Sequence, residues 1–278
     1  VDPLAEPMEI FPAAHYARGG LWVDFEKDPT SGGMRWDSPR NHATSIPGLY
    51  ACGECDYGYH GANRLGANSL LSASFSGRVA GESVVAYLRG LASHAQGLPQ
   101  GVFDSAVAAQ ARVNQGLMRS RGCENPYALH GELGKLMTAK VGVVRHNPEL
   151  DTAIARLQEL EERCERIDLG ETSTWANQTL VHARQLRDMI RLARVIAQGA
   201  CERDECRGAH HKPEFHLPIP EGKFPGAPEF EAYRQRWKAN NARWLKTTIA
   251  EYSAQGPRIS YQAVDTSVLA PEHPRDYR

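Results

Sequence analysis

The chain has 278 residues, with 32 basic against 33 acidic side chains and a formal net charge of −1. At 41% hydrophobic and 23% charged it has the composition of a globular protein, which excludes a disordered or collagen-like chain. The near-neutral balance supplies no general field for nucleic acid or anionic lipid, so no nucleic-acid partner is expected.

The most apolar long stretch, residues 70–88, is broken by Arg78 and Glu82, so no membrane span is expected. The chain opens Val1-Asp2-Pro3, without a Met or a basic-then-apolar leader, which points to a processed or truncated product. Cysteines stand at 52, 55, 123, 164, 201 and 206. In a chain with this much core material they are expected as reduced thiols rather than staples. Cys52 and Cys55 invite a redox or zinc reading, with Cys201, Cys206, His210 and His211 as possible partners. Their spacing matches no standard zinc pattern, so no metal site is expected.

In chain order, Gly20-Leu21-Trp22-Val23 and Gly48-Leu49-Tyr50-Ala51-Cys52 read as short buried strands bounded by turn residues. A helix follows, capped by Asn68 or Ser69 and ending near Gly90. Its core face would be Leu70, Leu71, Phe75, Val79, Val84, Val85 and Leu88. Residues 91–101, with Gly97-Leu98-Pro99, read as a linker. Beyond it the chain is helical. Phe103, Val107, Val113 and Leu117 mark one helix, and Tyr127, Leu129, Leu133, Leu136 and Met137 the next.

Two long stripes come after these, Leu150 to Ile167 and Leu180 to Ile196. The short polar turn at 170–175 between them predicts antiparallel packing. After Arg207 the chain turns Pro-rich, with a helix over 230–244 and short strands at 244–249 and 259–264. The fold class expected is therefore α+β: a partial α/β domain, a helical bundle, and an irregular C-terminal segment with short strands.

The chemistry concentrates in residues 15–71. The strand ending at Ala51-Cys52 is followed by Gly53, which permits close approach of a ligand, and Glu54, which accepts hydrogen bonds from hydroxyl groups. A Gly-rich loop then runs into a helix N-terminus, a place that favours partially negative oxygens. Arg64 within it offers a planar fork suited to a carboxylate. By itself the pattern fits a structural turn as well as an anion or cofactor site.

Three pieces in this order and spacing resemble the flavoprotein subunit of succinate dehydrogenases and fumarate reductases. They are His15-Tyr16-Ala17-Arg18-Gly19-Gly20, Ile46-Pro47-Gly48-Leu49-Tyr50-Ala51-Cys52-Gly53-Glu54 and His60-Gly61-Ala62-Asn63-Arg64-Leu65-Gly66-Ala67-Asn68-Ser69-Leu70-Leu71. Later elements agree: Gln185-Leu186-Arg187-Asp188-Met189-Ile190, Cys206-Arg207-Gly208-Ala209-His210 and Trp244-Leu245-Lys246-Thr247-Thr248-Ile249. The loop between Glu54 and Arg64 and the Leu21-Trp22-Val23-Asp24 run look nearest to the Gram-positive, menaquinone-linked branch. L-aspartate oxidases, the nearest competitor, commonly carry Ala-Ser-Asn-Ser-Leu where this chain has Gly66-Ala67-Asn68-Ser69-Leu70.

The resemblance implies FAD as cofactor and succinate or fumarate as substrate. His15 and Arg64 would hold the substrate carboxylates, Glu54 the FAD ribitol, and Ser69 and Leu70 the flavin pyrimidine end. It implies an iron–sulfur subunit and membrane-anchor subunits as partners, on the cytoplasmic face of the cell membrane. It divides the chain into the end of a capping region (1–14), the C-terminal part of an FAD-binding domain (15–100), a helical bundle (101–205) and a C-terminal extension packing on both (206–278).

Two departures stand out. The family usually has Met where this chain has Arg18. These residues also contain no G-x-G-x-x-G, no His for covalent flavin attachment and no segment with the proton-transfer arginine, so no catalytic residue is assigned and the chain alone is expected to be inactive. A non-catalytic helical interaction module is the alternative.

Several groups receive plainer readings. His60, His94 and His146 read as ordinary surface or core histidines, and Cys52 and Cys55 as buried beside the Glu54 loop. Arg207 to His210 reads as a brace of the helical domain on the flavin domain. The basic side of the second long helix (Arg184, Arg187, Arg191 and Arg194) reads as a solvated or subunit-facing side, one candidate surface for the iron–sulfur partner.

Overall fold

The structure is a computed structural model and describes residues 5–6, 16–221 and 225–271. The chain forms two compact units, Val1–Ser93 and His94–Arg278. No helix among the described residues is long and apolar enough to cross a membrane.

In the first unit the two apolar runs form single bridges rather than strands. Leu21 bridges Asp56 in parallel and Ala43 bridges Tyr50 in antiparallel. A ladder needs consecutive paired residues, and here the neighbouring backbone groups form scattered links between segments instead: Asp24 N–H to Ala43 C=O, His42 N–H to Asp24 C=O and Thr44 N–H to Leu49 C=O.

Helix α1 (Asn68–Arg89) starts earlier than an Asn68 or Ser69 cap would place it. Ala67 occupies the cap position with φ +65° and offers no side-chain hydrogen bond, so neither Asn68 nor Ser69 caps it. Its buried face also differs from the predicted apolar stripe. Ser72, Ser76, Val79, Ala80 and Ser83 point inward, whereas Leu70 is 82% and Leu71 67% exposed. Small side chains allow the helix backbone to approach the turn at Gly53–Cys55, where the Gly53 N–H donates to Ser76 Oγ at 2.8 Å.

The second unit is built on helices α2 (Gln100–Arg119), α3 (Pro126–Lys140), α4 (Asn147–Arg163) and α5 (Gln178–Glu202). Helix α2 begins inside the predicted linker, after a 3-10 turn at Ala95–Gly97. Asn125 caps α3 by accepting from the Tyr127 and Ala128 N–H groups, with Pro126 at the first helical position. Asn177 caps α5 by accepting from Leu180 N–H.

The two long stripes meet as predicted. Leu150, Leu157, Leu160, Ala183, Leu186 and Ile190 are fully buried, each large one contributing about 1.5–3 kcal/mol of apolar transfer. Pairs along the rim set the helices antiparallel: Cys201 lies against Asp151, Arg191 and Arg194 against Glu161, and Arg187 against Glu165. The four arginines on α5 are thus committed. Arg184 reaches Asn114 and Gln110 on α2, and the other three pair with acids of α4 or the turn after it. They do not form the free basic surface expected of them.

Helix α6 (Pro228–Trp244) leads into the antiparallel hairpin β1 (Lys246–Glu251) and β2 (Arg258–Ala263), with Lys246 opposite Ala263 and Ile249 opposite Ser260. The Arg207 to His210 brace acts inside this unit. Arg207 donates to Glu205 and to Asn241 of α6, and His210 Nε2 donates to Arg203 C=O while its Nδ1 accepts from Arg145. Burial lowers the His210 pKa to about 4, which fixes the neutral ring that this pairing requires.

Candidate flavin and substrate site

The site grows from the chain turn at Gly53. That residue has φ +75°, a conformation L side chains rarely adopt, and it turns the chain from Cys52 into the exposed carboxylate of Glu54. Just upstream, Ala51 is held by a buried histidine. His42 Nδ1 donates to Ala51 C=O at 2.9 Å, so its Nε2 accepts from the Tyr59 hydroxyl at 2.7 Å. Burial lowers the His42 pKa, which keeps the ring neutral in that tautomer. Asp56 closes the turn by accepting from Gly58 N–H at 2.7 Å.

Segment 16–21 is laid along this turn. Leu21 N–H donates to Cys55 C=O at 2.7 Å, and Ala17 N–H donates to Glu54 Oε1 at 2.8 Å. The approach at Gly20 is so close that a Cβ there would lie 2.4 Å from the Cys55 carbonyl oxygen. Tyr16 meets His60 edge-on at 4.8 Å. Both reach Ser72 Oγ, at 3.3 and 2.9 Å, and the Ser72 hydroxyl itself donates to Ser69 C=O.

The first turn of α1 is open to a ligand. Ala67 provides no cap, so the leading N–H groups lack a side-chain acceptor, and the Ser69 hydroxyl is buried without a hydrogen-bond partner. Beside it Arg64 is half-buried and makes one bond, to Leu65 C=O. The structure thus gathers Glu54, Arg64, Ser69 and Leu70 around one turn–helix junction, while His15 lies outside the described residues.

Three residues of this junction were not singled out by sequence reasoning. His60, read as an ordinary histidine, is locked to Tyr16 and Ser72 within the site. The signal for it was its place at the head of the His60 to Leu71 motif. Tyr16 and Ser72 carried no separate signal. Cys52 and Cys55 are exposed rather than buried, because the turn lifts both off the small-residue face of α1. No cluster of three or more metal-ligating side chains occurs among the described residues.

The family described as FAD binding domain matches residues 1–70, which include the glycine–carboxylate turn and the start of α1. The family described as fumarate reductase flavoprotein C-term matches residues 130–277. The chain belongs to the succinate dehydrogenase and fumarate reductase flavoprotein family.

Among its relatives, the Bacillus subtilis succinate dehydrogenase flavoprotein subunit is 43% identical over 99% of this chain and 41% of its own length. The Haemophilus influenzae fumarate reductase flavoprotein subunit is 32% identical over 98% of this chain and 39% of its own. Of solved structures, the FrdA chain of Escherichia coli quinol fumarate reductase superposes with a TM-score of 0.75 at 30% identity, covering 98% of this chain and 40% of that one. The chain therefore spans about two-fifths of the length of the relatives it matches.

Proposed function

We propose that this chain forms one wall of an FAD and dicarboxylate site in an enzyme that interconverts succinate and fumarate. In that reading FAD, when bound, supplies hydride chemistry that no protein side chain can. The residues present fit it. Glu54 accepts from ribitol hydroxyls while its Oε1 also holds Ala17. The free N–H groups at Ser69 and Leu70, with the helix dipole behind them, favour negative charge on the flavin pyrimidine end. Arg64 and His15 hold a substrate carboxylate. The proton-transfer arginine lies in a part of the flavoprotein that these residues do not include.

The same reading divides the chain at the boundaries given above and adds the rest of the flavoprotein, an iron–sulfur subunit and membrane-anchor subunits as partners. The chain then sits peripherally, on the cytoplasmic face of the membrane, through those partners. The observation that carries the proposal is the buried, unpartnered Ser69 hydroxyl at an uncapped helix start, with the lightly bonded Arg64 beside it.

The test is Arg64→Lys in the full-length flavoprotein. An ammonium keeps the charge but cannot grip a carboxylate with two parallel bonds, so kcat/KM for succinate should fall by about 2–4 kcal/mol of transition-state stabilisation. A variant within threefold of wild type removes Arg64 from the substrate site and the proposal with it.

A further inference from the structure

The buried face of α1 presents serines where a core face ordinarily presents aliphatic side chains, and two of them act as hydrogen-bond hubs. Ser76, fully buried, accepts from Gly53 N–H at 2.8 Å and gives its proton to Ala73 C=O at 3.1 Å. One turn nearer the helix start, Ser72 is 8% exposed and gives its proton to Ser69 C=O at 2.8 Å. A hydroxyl has one proton and two lone pairs. With the proton spent on Ser69, the His60 ring at 2.9 Å and the Tyr16 hydroxyl at 3.3 Å both donate to Ser72 Oγ. His60 therefore holds a proton on Nε2, and the Ser72 hydroxyl is saturated.

These bonds join three pieces of chain. Tyr16 follows His15 and begins the segment pinned by Ala17 N–H on Glu54 and by Leu21 N–H on Cys55 C=O. His60 heads the motif that contains Arg64. Ser69 lies in the first turn of α1, and a serine bonding back to the carbonyl three residues earlier constrains that turn. The His60 and Tyr16 rings also meet edge-on, 4.8 Å apart with 84° between their planes, so they touch directly as well as through the shared oxygen.

We propose that His60 is a positioning residue, acting through Ser72 to fix segment 16–21 and the first turn of α1 relative to each other. This rests on the proposed function, in which His15, beside that segment, holds a substrate carboxylate and the start of α1 holds the flavin. The spacing of those two decides hydride transfer, and a misplacement of about 1 Å costs roughly 100-fold in rate. Affinity for either ligand comes from other groups, Arg64 and Glu54 among them. Loss of His60 therefore acts on kcat and leaves substrate affinity and flavin content nearly unchanged.

The experiment uses the full-length flavoprotein in its complex, as wild type, His60→Phe, His60→Gln, Ser72→Ala and the double variant His60→Phe/Ser72→Ala. Phenylalanine keeps a ring against Tyr16 but removes the donor, whereas the glutamine amide nitrogen can stand where Nε2 stands. In His60→Phe and Ser72→Ala, kcat for succinate should fall by about tenfold or more. The Kd of malonate by calorimetry should stay within about threefold, with FAD content unchanged. The double variant should be no slower than the slower single one, since both break the same link. His60→Gln should recover most of the rate. Visible circular dichroism of the flavin should change alike in His60→Phe and Ser72→Ala and return in His60→Gln.

The assignment is overturned by a His60→Phe enzyme within threefold of the wild-type kcat, by losses that multiply in the double variant, or by a loss that follows FAD content alone. It is also overturned if His60→Gln is as slow as His60→Phe. A wild-type complex that turns over no dicarboxylate refutes the underlying function instead. Flavin dichroism separates the two, because it reads the hub without turnover, and an unchanged His60→Phe spectrum then overturns the positioning role.

Discussion

Replacing Glu205 with alanine tests whether the second unit is held at its C-terminal end by a buried ionic knot. Glu205 is fully buried, and its two oxygens accept from Arg203, Arg207 and Asn240. Arg203 continues to Lys246 C=O and Thr248 Oγ1 and lies 5.5 Å over the Trp244 ring, so one carboxylate ties the end of α5 to α6 and β1. Removing it leaves two guanidinium groups, only 15% and 25% exposed, without their counter-charge.

Breaking one partner of a buried pair costs about 3–5 kcal/mol, and the partial exposure of the arginines places this case near the lower figure. At about 2–4 °C per kcal/mol for a unit of this size, the melting temperature followed by circular dichroism should drop by roughly 6–12 °C. Glu251→Ala is the control. It breaks the exposed pair with Arg258, whose side chains are 58% and 71% exposed, and should change stability by less than about 0.5 kcal/mol. If Glu205→Ala loses no more than Glu251→Ala, the knot contributes nothing and the reasoning fails.

Two further outcomes follow from geometry and titration. Gly122→Ala should destabilise the second unit by about 2–4 kcal/mol in urea denaturation, since its Cβ would fall 1.7 Å from the Arg166 carbonyl oxygen and break the Glu124–Ile167 bridge; an unchanged midpoint contradicts this. Stability should also decline on acidification. His210, with its pKa lowered from 6.5 to about 4 by burial, contributes fully above pH 6.5 and loses up to about 3 kcal/mol as pH falls towards 4. His210→Gln should flatten that acid limb. The opposite limb belongs to His146. Its pKa is raised by its hydrogen bond to Glu214, so that pair contributes at low pH and is lost as pH rises through the raised value.

The helical half was readable because its apolar residues recur at helical spacing and bury each other. Leu150, Leu157, Leu186 and Ile190 are core residues both by pattern and by structure. The flavin-side half was readable only as motif. Its runs at 20–23 and 48–52 have the composition of buried strands, yet a strand also needs a neighbour to pair with, and that information is not local. Helix α1 misled for a related reason: its leucines are exposed and its serines buried, the reverse of what hydropathy predicts.

Within the site, Glu54 and Arg64 could be picked out by residue type and place. His60, Tyr16 and Ser72 could not, because what makes them part of it is a shared hydrogen bond across 56 positions of chain. The commitment of the α5 arginines was likewise invisible, since their acidic partners lie on another helix.

The contrast between the two units has a consequence for how the molecule breathes. Among its described residues the first unit closes only Val23, Ala51, Val79 and Ala80 away from water as apolar core, whereas the second encloses a continuous cluster from Leu117 to Ala200. Amide protons report that difference directly, because exchange requires each hydrogen bond to open and the opening free energy follows the core that must be exposed. Deuterium should therefore enter the turn around Gly53 and the start of α1 orders of magnitude sooner than the middle of α4 and α5. On the proposed function, the part of the chain that would receive the ligand is the part that opens most readily, and occupancy of that junction would register first as slowed exchange there.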